Sequence, residues 1–109
     1  MYQSLISLKN KFSLKNQRSS KWTEIRQDHL ILNNVCACCG CTSHLEVHHI
    51  TPFYVDKSLE LDKNNLITLC DNASTGNNCH LLVGHLGDWK RYNKNILQNI
   101  SQFSSFFKF

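Results

Sequence analysis

The sequence predicts a small α+β domain that needs more than its own apolar core to stay folded. Three observations carry this. The chain has 109 residues, 41% of them hydrophobic, with no long apolar run, which suits one globular domain and argues against a membrane span. Two stretches with apolar residues at helical spacing flank two short strand-like segments. Six cysteines stand where a staple would be useful, because core burial and chain entropy nearly cancel at this size.

The first twenty residues, MYQSLISLKNKFSLKNQRSS, hold no unbroken apolar stretch and no small-residue cleavage site. They are read as no signal peptide, and a reducing, cytoplasmic setting is expected, where clustered cysteines serve as metal ligands more often than as disulfides. A net charge of +4 and a pI near 8.8 favour a polyanionic partner, a weak indication by itself.

The elements follow in order. Residues 1–19 carry Lys9, Lys11, Lys15 and Arg18 among Ser, Asn and Gln, while Leu5, Leu8, Phe12 and Leu14 are too irregular for a helix. They read as a basic arm that orders on a partner or as a solvated tail. From Ser20 the pattern changes: Trp22, Ile25, His29 and Leu32 predict a helix of about three turns, with Ser20 as its cap. Lys21 and Arg26 fall near its opposite face, where they contact phosphates or face water. After CACCGC come a strand at Leu45 to His49, a polar link, and a second strand at Leu66 to Leu69. Beyond the loop DNASTGNN, Leu82, His85, Leu86 and Trp89 predict a second helix, weakened by Gly84 and Gly87. The tail SQFSSFFKF is aromatic enough to pack back on the domain.

Cys36 and Cys39 form a C-x-x-C pair followed at once by Gly40. A tight turn of this kind aims two sulfurs and their supporting backbone N–H groups at one ion, and the glycine relieves the backbone after the second ligand. Cys38 and Cys41 form an overlapping pair, so spacing alone does not choose; the position of Gly40 favours the first, and leaves Cys38 and Cys41 as small apolar residues. Cys70 and Cys79 complete a candidate zinc quartet. Structural zinc in small modules contributes about 10 to 16 kcal/mol of apparent binding energy, comparable to the whole net stability of an ordinary domain.

The segment LEVHHI places His48 and His49 side by side on the first strand. With C-x-x-C-G before it, x-P and NLITLC after it, and CH behind the last cysteine, the pattern resembles the HNH endonuclease family in its zinc-stapled ββα-metal (His-Me finger) branch, over roughly residues 36 to 85. The resemblance implies a metal-dependent endonuclease that hydrolyses DNA by nicking or double-strand cutting. It implies His48 and His80 as ligands of a catalytic divalent ion, His49 as general base, and Asn65 as a brace for the loop holding that base. Pro52 matches the family's proline. The family usually has two residues between its last two cysteines, whereas eight separate Cys70 from Cys79 here, so His85 stands as the alternative ligand to His80.

The chemistry of the pair is consistent with this. Adjacent strand residues point to opposite faces, so one imidazole can coordinate a cation while the other stays free to take a proton from water. Imidazole ligands suit Mn²⁺, Ni²⁺, Co²⁺ or Zn²⁺, and Mg²⁺ prefers oxygen; Mg²⁺ or Mn²⁺ is the expected working ion beside structural Zn²⁺.

The organisation expected is a basic arm at 1–19, then a nuclease domain at 20–109 with its ββα-metal core at about 36–92. DNA is the expected partner, with Lys21, Arg26, Lys90 and Arg91 on phosphates and no membrane contact. Monomer and homodimer both remain open. The 109 residues leave little room for a separate specificity domain, so low intrinsic specificity or a partner protein is expected, with a phage- or mobile-element-encoded protein acting in the host cell as one setting. The alternative is a catalytically inactive zinc module that binds nucleic acid.

Overall fold

A computed structural model of the chain describes residues 18–71 and 77–104; most of the basic arm, the centre of the loop after Cys70 and the end of the aromatic tail lie outside them. The described chain runs through helix α1 (Trp22–Leu32), strand β1 (Leu45–His49), two 3₁₀ turns (Lys57–Leu59 and Lys63–Asn65), strand β2 (Leu66–Cys70), one π-helical turn (His80–Gly84) and helix α2 (Ile96–Ser104). None of its helices is long and apolar enough to cross a membrane.

Helix α1 has the predicted length and half-buries Trp22, Ile25 and His29, while Leu32 is exposed. Its start differs from expectation. Lys21, not Ser20, occupies the cap position and makes no side-chain cap bond. Ser19 supplies the oxygens instead: its Oγ accepts from the Lys21 N–H at 3.1 Å and its carbonyl from the Trp22 N–H at 3.1 Å. The register moves because Ser19 is itself pinned, donating its N–H to both Glu60 carboxylate oxygens at 2.9 and 3.2 Å. Asn33 closes the other end, where its backbone N–H and its Nδ2 both donate to the His29 carbonyl at 2.8 and 3.0 Å.

Strands β1 and β2 pair antiparallel, with Leu45 opposite Cys70 and His49 opposite Leu66. Directly opposed residues share a face. Glu46 and His48 therefore lie with Leu69 and Ile67 on one side, and Val47 and His49 with Thr68 and Leu66 on the other. The ribbon is tied to the cysteine turn by Thr68, whose Oγ1 donates to the Asn33 carbonyl at 2.8 Å and whose carbonyl accepts from Ala37 at 2.9 Å.

The predicted second helix is corrected to a single turn. After Gly84 the chain enters left-handed backbone at Leu86 (φ 56°) and Gly87 (φ 83°), which an α-helix does not contain, and the Gly87 N–H closes back on the Leu81 carbonyl at 2.8 Å. Leu82, Leu86 and Trp89 stay exposed rather than forming a buried stripe. The missing core surface comes from α2, which was not among the helices expected from sequence. Its Ile96 and Ile100, four apart, pack with Leu69, Val83 and the buried cysteines. Asn93 links α2 to the π-turn, donating from Nδ2 to the Val83 carbonyl at 2.7 Å and to Asn99 Oδ1 at 2.9 Å.

Ile96 has no exposed surface. Ile96→Ala is expected to lower stability by about 2 to 5 kcal/mol, read from chemical denaturation at saturating zinc; a loss below half a kilocalorie would mean that α2 does not complete the core.

Candidate metal centres and catalytic cleft

The thiols of Cys36, Cys39, Cys70 and Cys79 converge, with all four sulfurs within 4.8 Å of one another. The turn at Cys36 to Cys41 is closed by the Cys36 N–H on the Cys41 carbonyl at 2.8 Å and the Gly40 N–H on the Cys36 carbonyl at 2.9 Å, with Gly40 at φ 80°. Backbone N–H groups of Cys39 and Cys79 point at the sulfurs of Cys36 and Cys70, each at 3.5 Å. A tetrahedral ion with metal–sulfur bonds near 2.3 Å separates its sulfurs by about 3.8 Å, and Cys39 and Cys70 stand 3.7 Å apart. The set fits zinc. A hydrogen bond from Cys79 holds the Cys36 thiol down at about 4, and the same bond pushes Cys79 up. Burial raises Cys70. One thiol thus ionises readily, while burial raises Cys39 and Cys70 and hydrogen bonding raises Cys79. Cys38 is buried beside this quartet, and Cys41 packs at its edge with Sγ 3.7 Å from the Ser43 carbonyl.

A second cluster holds His48, His80 and His85, with ring centroids 4.9 to 5.1 Å apart and one nitrogen of each within 4.8 Å of the others. The structure brings His80 and His85 to His48 together, rather than one in place of the other. The π-turn explains how. Residues five apart on an α-helix diverge by about 140°, whereas a π-turn, with its i to i+5 repeat, returns them to one side. Gly84 makes room: a Cβ there would lie 3.2 Å from Leu69 Cδ1 and 3.3 Å from two atoms of the His48 ring.

Burial and the neighbouring rings push His48 down to about 3, and burial also lowers His80, so both stay neutral and keep a lone pair for a cation. His85 Nδ1 donates to the Arg91 carbonyl at 3.0 Å, which leaves Nε2 as its ligand atom. His80 Nδ1 is buried without a hydrogen-bond partner, 3.8 Å from the Asp71 carboxylate. An orphaned nitrogen among neutral imidazoles is the donor set a transition metal uses.

His49 stands on the other side of the strand, its ring 4.5 Å from that of Trp22. Its Nε2 donates to the Glu60 carbonyl at 2.9 Å, so Nδ1 carries the lone pair, and burial lowers its affinity for a proton. Asn65 is buried beneath this loop. Its Oδ1 accepts from Thr51 N–H at 2.7 Å and its Nδ2 donates to the carbonyls of Thr51 and Leu59, each at 3.0 Å. Both ends of the segment from His49 to Glu60 are thereby held.

The two histidine groups open on one cleft of about 360 Å³, lined also by Arg18, Trp22, Arg26 and Tyr54. Among the basic residues singled out from sequence, Arg26 faces this cleft, paired with Glu46 at 2.9 Å. Lys21, at the start of α1, is exposed. Lys90 and Arg91 are exposed on the turn after Gly87, Arg91 4.0 Å from Asp88. Sequence reasoning missed Glu60, Glu46 and the contact of Trp89 with His80 and His85 at 5.0 Å. The E-x-H-H spacing did signal Glu46, since alternate strand residues share a face. No side-chain pattern marks a backbone carbonyl such as that of Glu60.

Gly84→Ala is expected to weaken divalent-ion binding at the histidine cluster by about tenfold, by calorimetric titration, while the thiolate metal, counted by native mass spectrometry, stays at one per chain. Equal affinity in the variant would mean that the His48 ring does not need its present position.

No curated protein and no solved structure matches the chain. The family model for HNH endonuclease matches residues 36–86, from the first cysteine of the quartet through all three clustered histidines. That stretch of the chain, which holds both metal-ligand clusters, is therefore similar to an HNH endonuclease domain.

Proposed function

We propose that the protein is a metal-dependent DNA endonuclease in which His49 is the general base and His48, His80 and His85 hold the catalytic ion. One observation carries the reading. The His49 ring, its Nε2 committed to the Glu60 carbonyl and its Nδ1 left with the lone pair, lines the same cleft as a separate cluster of three imidazoles.

Phosphodiester hydrolysis needs a nucleophile, relief of negative charge in the transition state and help for the departing oxygen. His49 Nδ1 takes a proton from water, an effect of about 10² to 10⁴-fold for a well-placed base. The carbonyl of Glu60 steadies the imidazolium that results, and Asn65 keeps the loop bearing that carbonyl in register with β1. When bound, a divalent cation supplies Lewis-acid stabilisation to the phosphate and the leaving oxygen. Three nitrogen donors favour Mn²⁺ or a later first-row ion over Mg²⁺, which shifts the expected working ion toward Mn²⁺. Zinc at the four cysteines has the structural part.

Arg18 and Arg26 put positive charge in the cleft, and Lys21, Lys90 and Arg91 add exposed charge for backbone phosphates along the strand. One such site cuts one strand, so a single chain nicks duplex DNA.

Two outcomes test this. Purified protein is expected to relax supercoiled plasmid faster with Mn²⁺ than with Mg²⁺, and His49→Ala to lower that rate by at least about 10²-fold at unchanged zinc content. Wild-type protein that relaxes no plasmid with any divalent ion would overturn the reading. DNA affinity is expected to fall steeply with salt, by filter binding with His49→Ala; a salt-independent constant would speak against contacts to the phosphate backbone.

A further inference from the structure

Glu60 makes two attachments from one residue. Its carbonyl accepts from the His49 ring. Its carboxylate, on a residue only 5% exposed, accepts the Ser19 N–H with both oxygens and lies 3.9 Å from the Arg18 guanidinium. Burying a carboxylate is costly unless it is bonded, and its partners among the described residues, Ser19 and Arg18, belong to the chain just ahead of α1. Arg18 is held from a second side. Its guanidinium lies 4.5 Å from the centroid of the Phe53 ring, on the loop that follows the histidine strand. It also lines the cleft with His49. Arg18, Glu60, Phe53 and His49 thus form one connected unit at the wall of the cleft.

We propose that Glu60 is a positioning residue: it fixes the His49 imidazole and the Arg18 guanidinium in one rigid relation, so that a DNA phosphate held by Arg18 is presented to the base. The inference rests on the nuclease reading for its consequence, but its geometry can be tested without it. A carbonyl is a reliable partner for a catalytic ring only if its own residue cannot shift. The two 3₁₀ turns on either side of Glu60 leave it little regular hydrogen bonding, its own N–H reaching Lys57 at 3.2 Å. The buried carboxylate supplies the second anchor.

The test uses the full-length, zinc-loaded chain labelled with ¹⁵N at histidine. Long-range ¹H–¹⁵N spectra report the His49 tautomer and the exchange of its Nε2 proton, with His49→Gln for assignment. Wild type is expected to show one tautomer, protonated at Nε2. Glu60→Gln, which keeps size and removes charge, and Glu60→Ala are each expected to raise Nε2 proton exchange at least tenfold and to lower kcat for nicking by about 10²-fold, with one zinc per chain retained. Arg18→Ala is expected to raise KM about tenfold, the mark of a lost ground-state contact. An unchanged His49 ring in both Glu60 variants at full zinc content would overturn the positioning role, and an unchanged KM in Arg18→Ala would overturn the phosphate contact. A wild-type chain that nicks nothing removes the nuclease reading, while the ring spectra still decide whether Glu60 positions His49.

Discussion

Convergence of four thiols is the constraint on which the rest of this structure depends. Cys36 and Cys39 come from the turn before the ribbon, Cys70 ends β2 and Cys79 precedes the π-turn, so an ion held there would join three stretches of a chain whose own core is small. The core is continuous with that centre, since Leu69, Val83, Ile96 and Ile100 pack against the buried cysteines. Metal binding at the four cysteines would therefore be coupled to apolar burial, as physical chemistry expects of a domain with so small a core.

The histidine cluster follows from this staple. Cys79 sets where the π-turn begins, the turn sets His80 and His85 on one side, and Gly84 lets that side close on His48. The ribbon then separates functions by its alternation: His48 points toward the π-turn and His49 toward Trp22. Two backbone carbonyls assign ring tautomers, Arg91 for His85 and Glu60 for His49. In each case the second nitrogen is left with its lone pair.

Much of this was legible in the sequence because it is carried by side-chain type and spacing. The C-x-x-C-G turn, the alternation in LEVHH and the periodicity of Trp22, Ile25 and His29 each encode a local geometry, and each marks the element found. The π-turn was not legible, because His80 and His85 are five apart, a spacing that α-helical periodicity assigns to different faces. Left-handed backbone at Leu86 defeats a helix that Leu82, His85 and Trp89 suggest, since a leucine does not advertise that conformation. Helix α2 is rich in Asn, Gln and Ser, and only Ile96, Ile100 and Phe103 betray its apolar stripe. Glu60 is invisible for a different reason: what matters is which main-chain oxygen lies near His49, and folding alone decides that.

The most direct test of the account is anomalous diffraction at the manganese edge from the His49→Ala protein crystallised with Mn²⁺ and a DNA duplex. One manganese ion bonded to nitrogens of His48, His80 and His85 and to an oxygen of a DNA phosphate, with residue 49 facing that phosphate, is the result predicted. A manganese ion bound elsewhere, or DNA seated away from this cleft, would contradict it.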